Sequence, residues 1–191
     1  MCGPAKLGPE QNPWTRVSTR AIYDNPWFGV REDQVLRPDG SPGIYGVVTA
    51  ARWALGVLPL WPDRTLTLVG QFRYPIGEYS WEIPEGGGDL ADEPLAGAKR
   101  ELLEETGLEA ESWRYLGRCH TSNCFVDEVG HLYLAEQLHQ GIAQPGPDEQ
   151  LVTHRVPLRE AVAMAYDGRI TDAISIAGIF RLACFLRIIE L

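Results

Sequence analysis

Between Gly86 and Leu108 the chain sets Glu101, Glu104 and Glu105 into a stretch that reads as one helix, and this stretch constrains the fold more than any other. Pro94 suits a first helical turn, where its fixed φ and missing N–H cost nothing. Asp92 or Glu93 stands at the N-cap, where negative charge suits the helix dipole. Gly107 stops the helix. At about 100° per residue, the three glutamates fall within about 100° of arc on one face. Leu95, Ala98 and Leu102 cluster on a neighbouring face and can anchor the helix in a core. Like charges three and four residues apart repel one another. A divalent cation turns that repulsion into coordination, because hard Mg²⁺ takes oxygen ligands. Arg100, four residues before Glu104, can pair with that carboxylate and hold its orientation. An acidic cluster alone is more often a solvated face, so the weight rests on the frame around it.

The remaining pattern fits a mixed α/β chain. Short runs rich in Val, Ile, Tyr, Trp and Phe from 15 to 35, then 43–54, 56–61, 66–74 and 79–83, predict strands, with a turn at Pro38-Asp39-Gly40. Glu85-Gly86-Gly87-Gly88-Asp89 reads as a Gly-rich loop leading into the helix. Strands are expected at 113–120, 129–138 and 151–156, with a long polar loop over 140–150. Helices are expected from Pro157 to about Tyr166 and from Thr171, as N-cap, to about Ile189. Strands, one helix, strands and two helices make a mixed fold rather than repeated βαβ units. Residues 1–13 read as a loose lead, 14–45 as a small β subdomain and 46–191 as the main domain.

Charge and composition narrow the partners. A net charge of −9 and no Lys/Arg run argue against nucleic acid. An acidic protein that acts on an anionic substrate needs something to offset repulsion, and a cation held by the glutamates would do so. Cys2, Cys119, Cys124 and Cys184 show no zinc spacing and read as free thiols of a reducing compartment. Residues 1–13 lack an apolar leader core, and no run approaches the ~20 apolar residues of a membrane span. These features predict a soluble, cytoplasmic protein that does not bind membranes.

The frame from Gly86 to Leu108 resembles the Nudix box, G-x5-E-x7-R-E-U-x-E-E-x-G-U with U apolar. Here it reads Gly86 … Asp92 … Arg100-Glu101-Leu102-Leu103-Glu104-Glu105-Thr106-Gly107-Leu108, with Asp92 in the place of the first Glu. The resemblance implies the Nudix fold, a mixed-sheet α/β/α sandwich. It also implies a hydrolase of diphosphate linkages that uses Mg²⁺, with Mn²⁺ as a substitute.

Gln71-Phe72-Arg73-Tyr74 followed by Trp81-Glu82-Ile83-Pro84-Glu85-Gly86 is similar to the Q-x-R … E-x-P-x-G segment of ADP-ribose and nucleoside-diphosphate-sugar pyrophosphatases. That branch implies metal ligation by Glu101, Glu104, Glu105 and the main-chain carbonyl of Glu85, and a phosphate contact from Arg73. It implies catalytic roles for Glu104 and Arg100, and a base in the acidic loop before the last strand, Glu149 with Asp148 in reserve. It implies an N-terminal β subdomain that pairs two subunits into a homodimer and lends aromatics to the nucleobase; Trp27 and Tyr45 are the candidates. Where such enzymes carry a Ser-Pro-Gly-like turn, this chain has Thr121-Ser122-Asn123-Cys124-Phe125, which leaves ADP-ribose and an NDP-hexose as rival substrates. The remaining alternatives are another nucleoside diphosphate derivative as substrate and a non-catalytic nucleotide-sugar sensor. All three box glutamates are present, which argues against the sensor.

Overall fold

The computed structural model describes residues 11–144, 146 and 150–189. Glu149 and Asp148 lie outside the described residues. Among the described residues, ten strands make three sheets. The first holds β1 (Thr15–Asp24), β2 (Phe28–Leu36) and β3 (Pro42–Ala50) in sequential antiparallel order. The second has β5 (Thr65–Arg73) between β6 (Glu78–Glu82) and β10 (Val152–Pro157), again antiparallel. The third runs β7 (Glu85–Asp89), β4 (Arg52–Pro59), β9 (Gly130–Gln140), β8 (Leu108–Cys119). Its β4–β9 pair is parallel, so the sheet is mixed.

Helix α1 (Pro94–Thr106) covers one face of the third sheet, and α2 (Leu158–Asp167) and α3 (Ala173–Phe185) lie on the other side. Strand alternation produces this layering. Leu55 and Val57 of β4 and Tyr133 and Ala135 of β9 join Ala98 and Leu102 of α1 in one core. Leu58, Leu132 and Leu134, one residue out of phase, join Leu66, Leu68, Ile179 and Leu182 in the other. The expected helix anchors, Ala98 and Leu102, are fully buried, and Leu95 packs against them. This is the expected mixed α/β architecture, with a separate sheet at its N-terminal end.

Several local expectations are corrected. The chain breaks at Ala51 rather than Leu55, where it leaves the first sheet for the third; Ala50 N donates to Asp127 Oδ1 (2.9 Å) and Ala51 N to the Trp27 carbonyl (3.3 Å). The glycines after Glu85 are strand β7, not a loop, paired in register Leu55↔Gly86 and Trp53↔Gly88. Glycine is there for close approach: a Cβ on Gly88 would stand 2.7 Å from Leu55 Cδ1. Strand β8 starts directly after Gly107, whose φ of 70° ends α1 with its N–H on the Leu103 carbonyl (2.8 Å). Glu93 holds the α1 N-cap place without a side-chain hydrogen bond. The α3 cap is Asp172, not Thr171: its carboxylate accepts from Ser175 N at 2.6 Å, and the helix ends at Phe185. No described helix is long and apolar enough to cross a membrane.

On the α1 side, His131 of β9 lies edge-on to Trp53 (5.1 Å) and meets the Tyr115 hydroxyl through Nδ1 (3.2 Å). Its Nε2 is buried without a hydrogen-bond partner. Burial, then the Arg118 charge, pushes its pKa below 6.5. The folded state therefore binds fewer protons than the unfolded chain just under that pH, and stability falls as pH drops below about 6.5. Thermal melts at about pH 7.5 and pH 5 should show this loss, and His131→Phe should shrink it. An unchanged pH dependence in the variant would clear His131 of the effect.

Candidate active site

The site forms where α1 crosses β7. The carboxylate of Glu101 lies directly over Gly86: a Cβ on that residue would overlap its Cδ and both oxygens. The box glycine is thus fixed by the glutamate that stands in its place. One turn on, Glu105 Oε2 accepts the Glu85 N–H at 3.0 Å. Glu101 is 8% exposed and Glu105 4%, so both carboxylates are taken into the protein at the same two backbone residues, Glu85 and Gly86.

Arg100 organises this face. Its guanidinium donates to Glu104 Oε2 (2.5 Å), Glu101 Oε1 (2.6 Å) and the Gly87 carbonyl (2.5 Å). It therefore clamps two helix carboxylates and ties α1 to β7. Burial works against its charge, but Glu101 and Glu104 outweigh burial and raise its pKa.

Arg73, at the end of β5, closes the other side. Its Nε lies 3.0 and 3.1 Å from the two oxygens of Glu82, and its Nη2 also donates to Glu82. Nη2 lies 3.4 Å from Glu85 Oε1. The hydrogen bonds to Glu82 raise the Arg73 pKa against its own burial. Burial opposes ionisation of Glu82, yet Arg73 outweighs it and holds that carboxyl below the usual range. Glu85 goes the other way. Burial first, then the charges of Asp172 and Glu82, push its carboxyl well above the usual range. Arg73 does not reverse this, because it is committed to Glu82.

The donor set suits a hard divalent cation: buried carboxylates converge on one backbone segment, with no sulfur or imidazole among them. Among the described residues no three acidic, His or Cys side chains are drawn close enough to cage an ion by themselves. Arg100 and Arg73 hold several of the oxygens instead. Beside the glutamates a cavity of about 560 Å³ opens, lined by Arg52, Gly87, Asp89, Asp92, Ala96 and Arg100 among others. Asp92, which fills a Glu position of the box, is among the residues that line this cavity.

The structure thus gathers Arg73, Glu85, Arg100, Glu101, Glu104 and Glu105. It does not bring Trp27 and Tyr45 together in one chain. Trp27 is 71% exposed beside Pro26 of the cavity wall. Tyr45 stacks edge-on against Trp14 (5.4 Å) and donates its hydroxyl to the Cys124 carbonyl (2.6 Å). Along β3, Tyr45 is about 20 Å from Ala51, which meets Trp27. Sequence reasoning passed over Glu82, Asp172 and Arg52 as site residues. Glu82 had a signal: in a β5–β6 hairpin, Glu78, Ser80 and Glu82 share the face of Arg73.

Comparison with known proteins bears on this geometry. Residues 50–176 match the family model of the NUDIX domain, and residues 14–48 match that of the nucleoside diphosphate sugar hydrolase N-terminal domain. The chain is 31% identical to an ADP-ribose pyrophosphatase of Mycobacterium tuberculosis, over 88% of this chain and 83% of that protein. It is 31% identical to a GDP-mannose pyrophosphatase of Klebsiella pneumoniae, over 82% of this chain and 84% of that one. Among solved structures, one described as an ADP compounds hydrolase superposes with a TM-score of 0.82 at 19% identity, covering 94% of this chain and 97% of the other, which is a likeness of fold. The fold, the box and these matches agree: the chain belongs to the Nudix family.

Proposed function

We propose that this protein is a pyrophosphatase that hydrolyses the diphosphate of a nucleoside-diphosphate sugar, ADP-ribose or an NDP-hexose, with Mg²⁺ or in its place Mn²⁺. The observation that carries this is the convergence of the Glu101 and Glu105 carboxylates on Glu85–Gly86 beside Arg73. The names of the relatives, ADP-ribose and GDP-mannose pyrophosphatases, point the same way.

Glu101, Glu104, Glu105 and the Glu85 main-chain carbonyl would hold the cation. When bound it polarises phosphoryl oxygens and lowers the pKa of water. Arg73 binds the diphosphate and offsets charge that builds up on the phosphoryl oxygens. Arg100 keeps Glu101 and Glu104 in position. Glu149, or Asp148, takes the proton of the attacking water. The water oxygen forms a new P–O bond, the bridging P–O bond breaks, and a nucleoside monophosphate and a sugar phosphate leave.

The N-terminal sheet supports a homodimer. Strand β1 is an edge, all ten of its residues are exposed, and Val17 (64%), Ile22 (50%) and Tyr23 (55%) lie on it. A long edge with apolar side chains favours pairing with another chain. A dimer lets each subunit offer Trp27 or Tyr45 to its partner's nucleobase, by stacking on its π-face. The protein then works in the cytoplasm, where its free thiols stay reduced. The test is a panel of ADP-ribose, ADP-glucose, GDP-mannose and UDP-glucose with and without Mg²⁺, read by release of monophosphate. Mg²⁺-dependent turnover of at least one is expected. Turnover of none, with a nucleoside triphosphate, dinucleoside polyphosphate or coenzyme A cleaved instead, would overturn the substrate class.

A further inference from the structure

The chain passes from the first sheet to the third at Ala50 and Ala51, and the loop between β8 and β9 grips this corner. Asp127 of that loop accepts the Ala50 N–H through Oδ1 (2.9 Å) and pairs through Oδ2 with Arg31 of β2 (3.3 Å). Its own N–H donates to the Val48 carbonyl (3.2 Å), and the Val48 N–H donates to the Phe125 carbonyl (2.8 Å). The loop thus lies along β3 through a parallel bridge between Val48 and Val126. Tyr45, further back on β3, donates its hydroxyl to the Cys124 carbonyl (2.6 Å). The turn of the loop does not need the Asp127 carboxylate, because the Phe125 and Val126 N–H groups close it on the Ser122 carbonyl. The carboxylate serves the corner instead.

The corner carries one wall of the cavity beside the glutamates, which Pro26, Ala51 and Arg52 line. The Ala51 N–H donates to the Trp27 carbonyl (3.3 Å). Asn25 Oδ1 accepts from the N–H groups of Trp27 (2.7 Å) and Phe28 (2.9 Å), and Phe28 pairs with Ala50 across β2 and β3. The turn that presents the exposed Trp27 ring is therefore tied to the same two residues that Asp127 steadies. We infer that Asp127 is a positioning residue: through Ala50 and Ala51 it fixes Trp27, and so sets affinity for the nucleotide half of the substrate without touching it. Loss of its carboxylate strands the Ala50 N–H and loosens the angle between the sheets. Tyr45 holds the same loop through its hydroxyl, which leaves Trp27 as the ring that meets the nucleobase. The inference rests on the nucleotide-sugar reading above and deepens it by naming what holds the base-binding wall in place.

The test is steady-state kinetics of the full-length protein on the best substrate among ADP-ribose, ADP-glucose, GDP-mannose and UDP-glucose, beside thermal melts. Asp127→Ala should raise KM about tenfold and leave kcat within about twofold, because a displaced ring weakens stacking while the glutamates stay in place. Asp127→Asn keeps an oxygen for the Ala50 N–H and gives up the charge facing Arg31, so it should recover most of the wild-type KM. Trp27→Ala should raise KM by a similar factor, and adding Asp127→Ala to it should change KM by less than about twofold, because the two act through one ring. An unchanged KM in Asp127→Ala overturns the inference. So do independent, multiplying effects of the Asp127 and Trp27 substitutions. A fall in kcat that tracks a lowered melting temperature, with no recovery in Asp127→Asn, also overturns it and makes Asp127 a residue of the fold alone. Turnover of none of the four by the wild-type protein overturns the nucleotide-sugar reading, and this role of Asp127 with it.

Discussion

Glu105→Gln should lower Mg²⁺-dependent turnover about a thousandfold, roughly 4 kcal/mol of barrier, while the protein stays folded. The substitution removes a charge and little else. Glu105 is 4% exposed and its Oε2 accepts the Glu85 N–H at 3.0 Å, a bond that a glutamine carbonyl keeps. Glu101 lies one turn away, so loss of the charge also relieves an i,i+4 repulsion of about 0.2–0.5 kcal/mol. Stability should therefore hold or rise slightly, whereas an acid that only filled space would leave turnover alone. Measured kcat across a Mg²⁺ titration, beside a thermal melt, separates the two. Wild-type turnover at every Mg²⁺ concentration would sink the metal role of Glu105.

That prediction stands on residues whose relation is local, and local relations are what the sequence displays. Glu101, Glu104, Glu105 and Arg100 lie within two turns, so helical geometry alone places them on one face. The anchors Ala98 and Leu102 follow from the same periodicity. The glycines of β7 were legible as special and misread in kind. Glycine is a poor strand former, but pairing with β4 and the closeness of α1 override propensity there. The Arg73–Glu82 pair was half legible, because it needs the β5–β6 register as well as alternation. The influence of the Asp172 charge on Glu85 was not legible at all. It depends on α3 docking across the third sheet through Ser175, a contact between residues 92 apart. The aromatics are the least constrained by sequence for a related reason: exposed rings such as Trp27 carry no periodic signal that says which molecule they meet.

Arg73→Ala should lower kcat/KM about a hundredfold, roughly 3 kcal/mol, mostly through KM if the guanidinium holds the diphosphate in ground and transition states alike. It should also destabilise the fold, for a separate reason. Glu82 is 2% exposed and would lose its charged partner. Breaking a buried pair costs about 3–5 kcal/mol, but Arg73 is 37% exposed and solvent screens part of that, so about 2 kcal/mol is expected. Arg73→Lys keeps the charge but not the forked geometry, and should fall between the two in KM. The two roles come apart in the double variant Arg73→Ala/Glu82→Gln. Removing the stranded charge should recover most of the lost melting temperature and none of the lost affinity. If the double variant recovered both, Arg73 would be a structural partner of Glu82 and the phosphate contact would have to come from elsewhere. Arg52, exposed on the wall of the cavity beside the glutamates, would then be the next guanidinium to test.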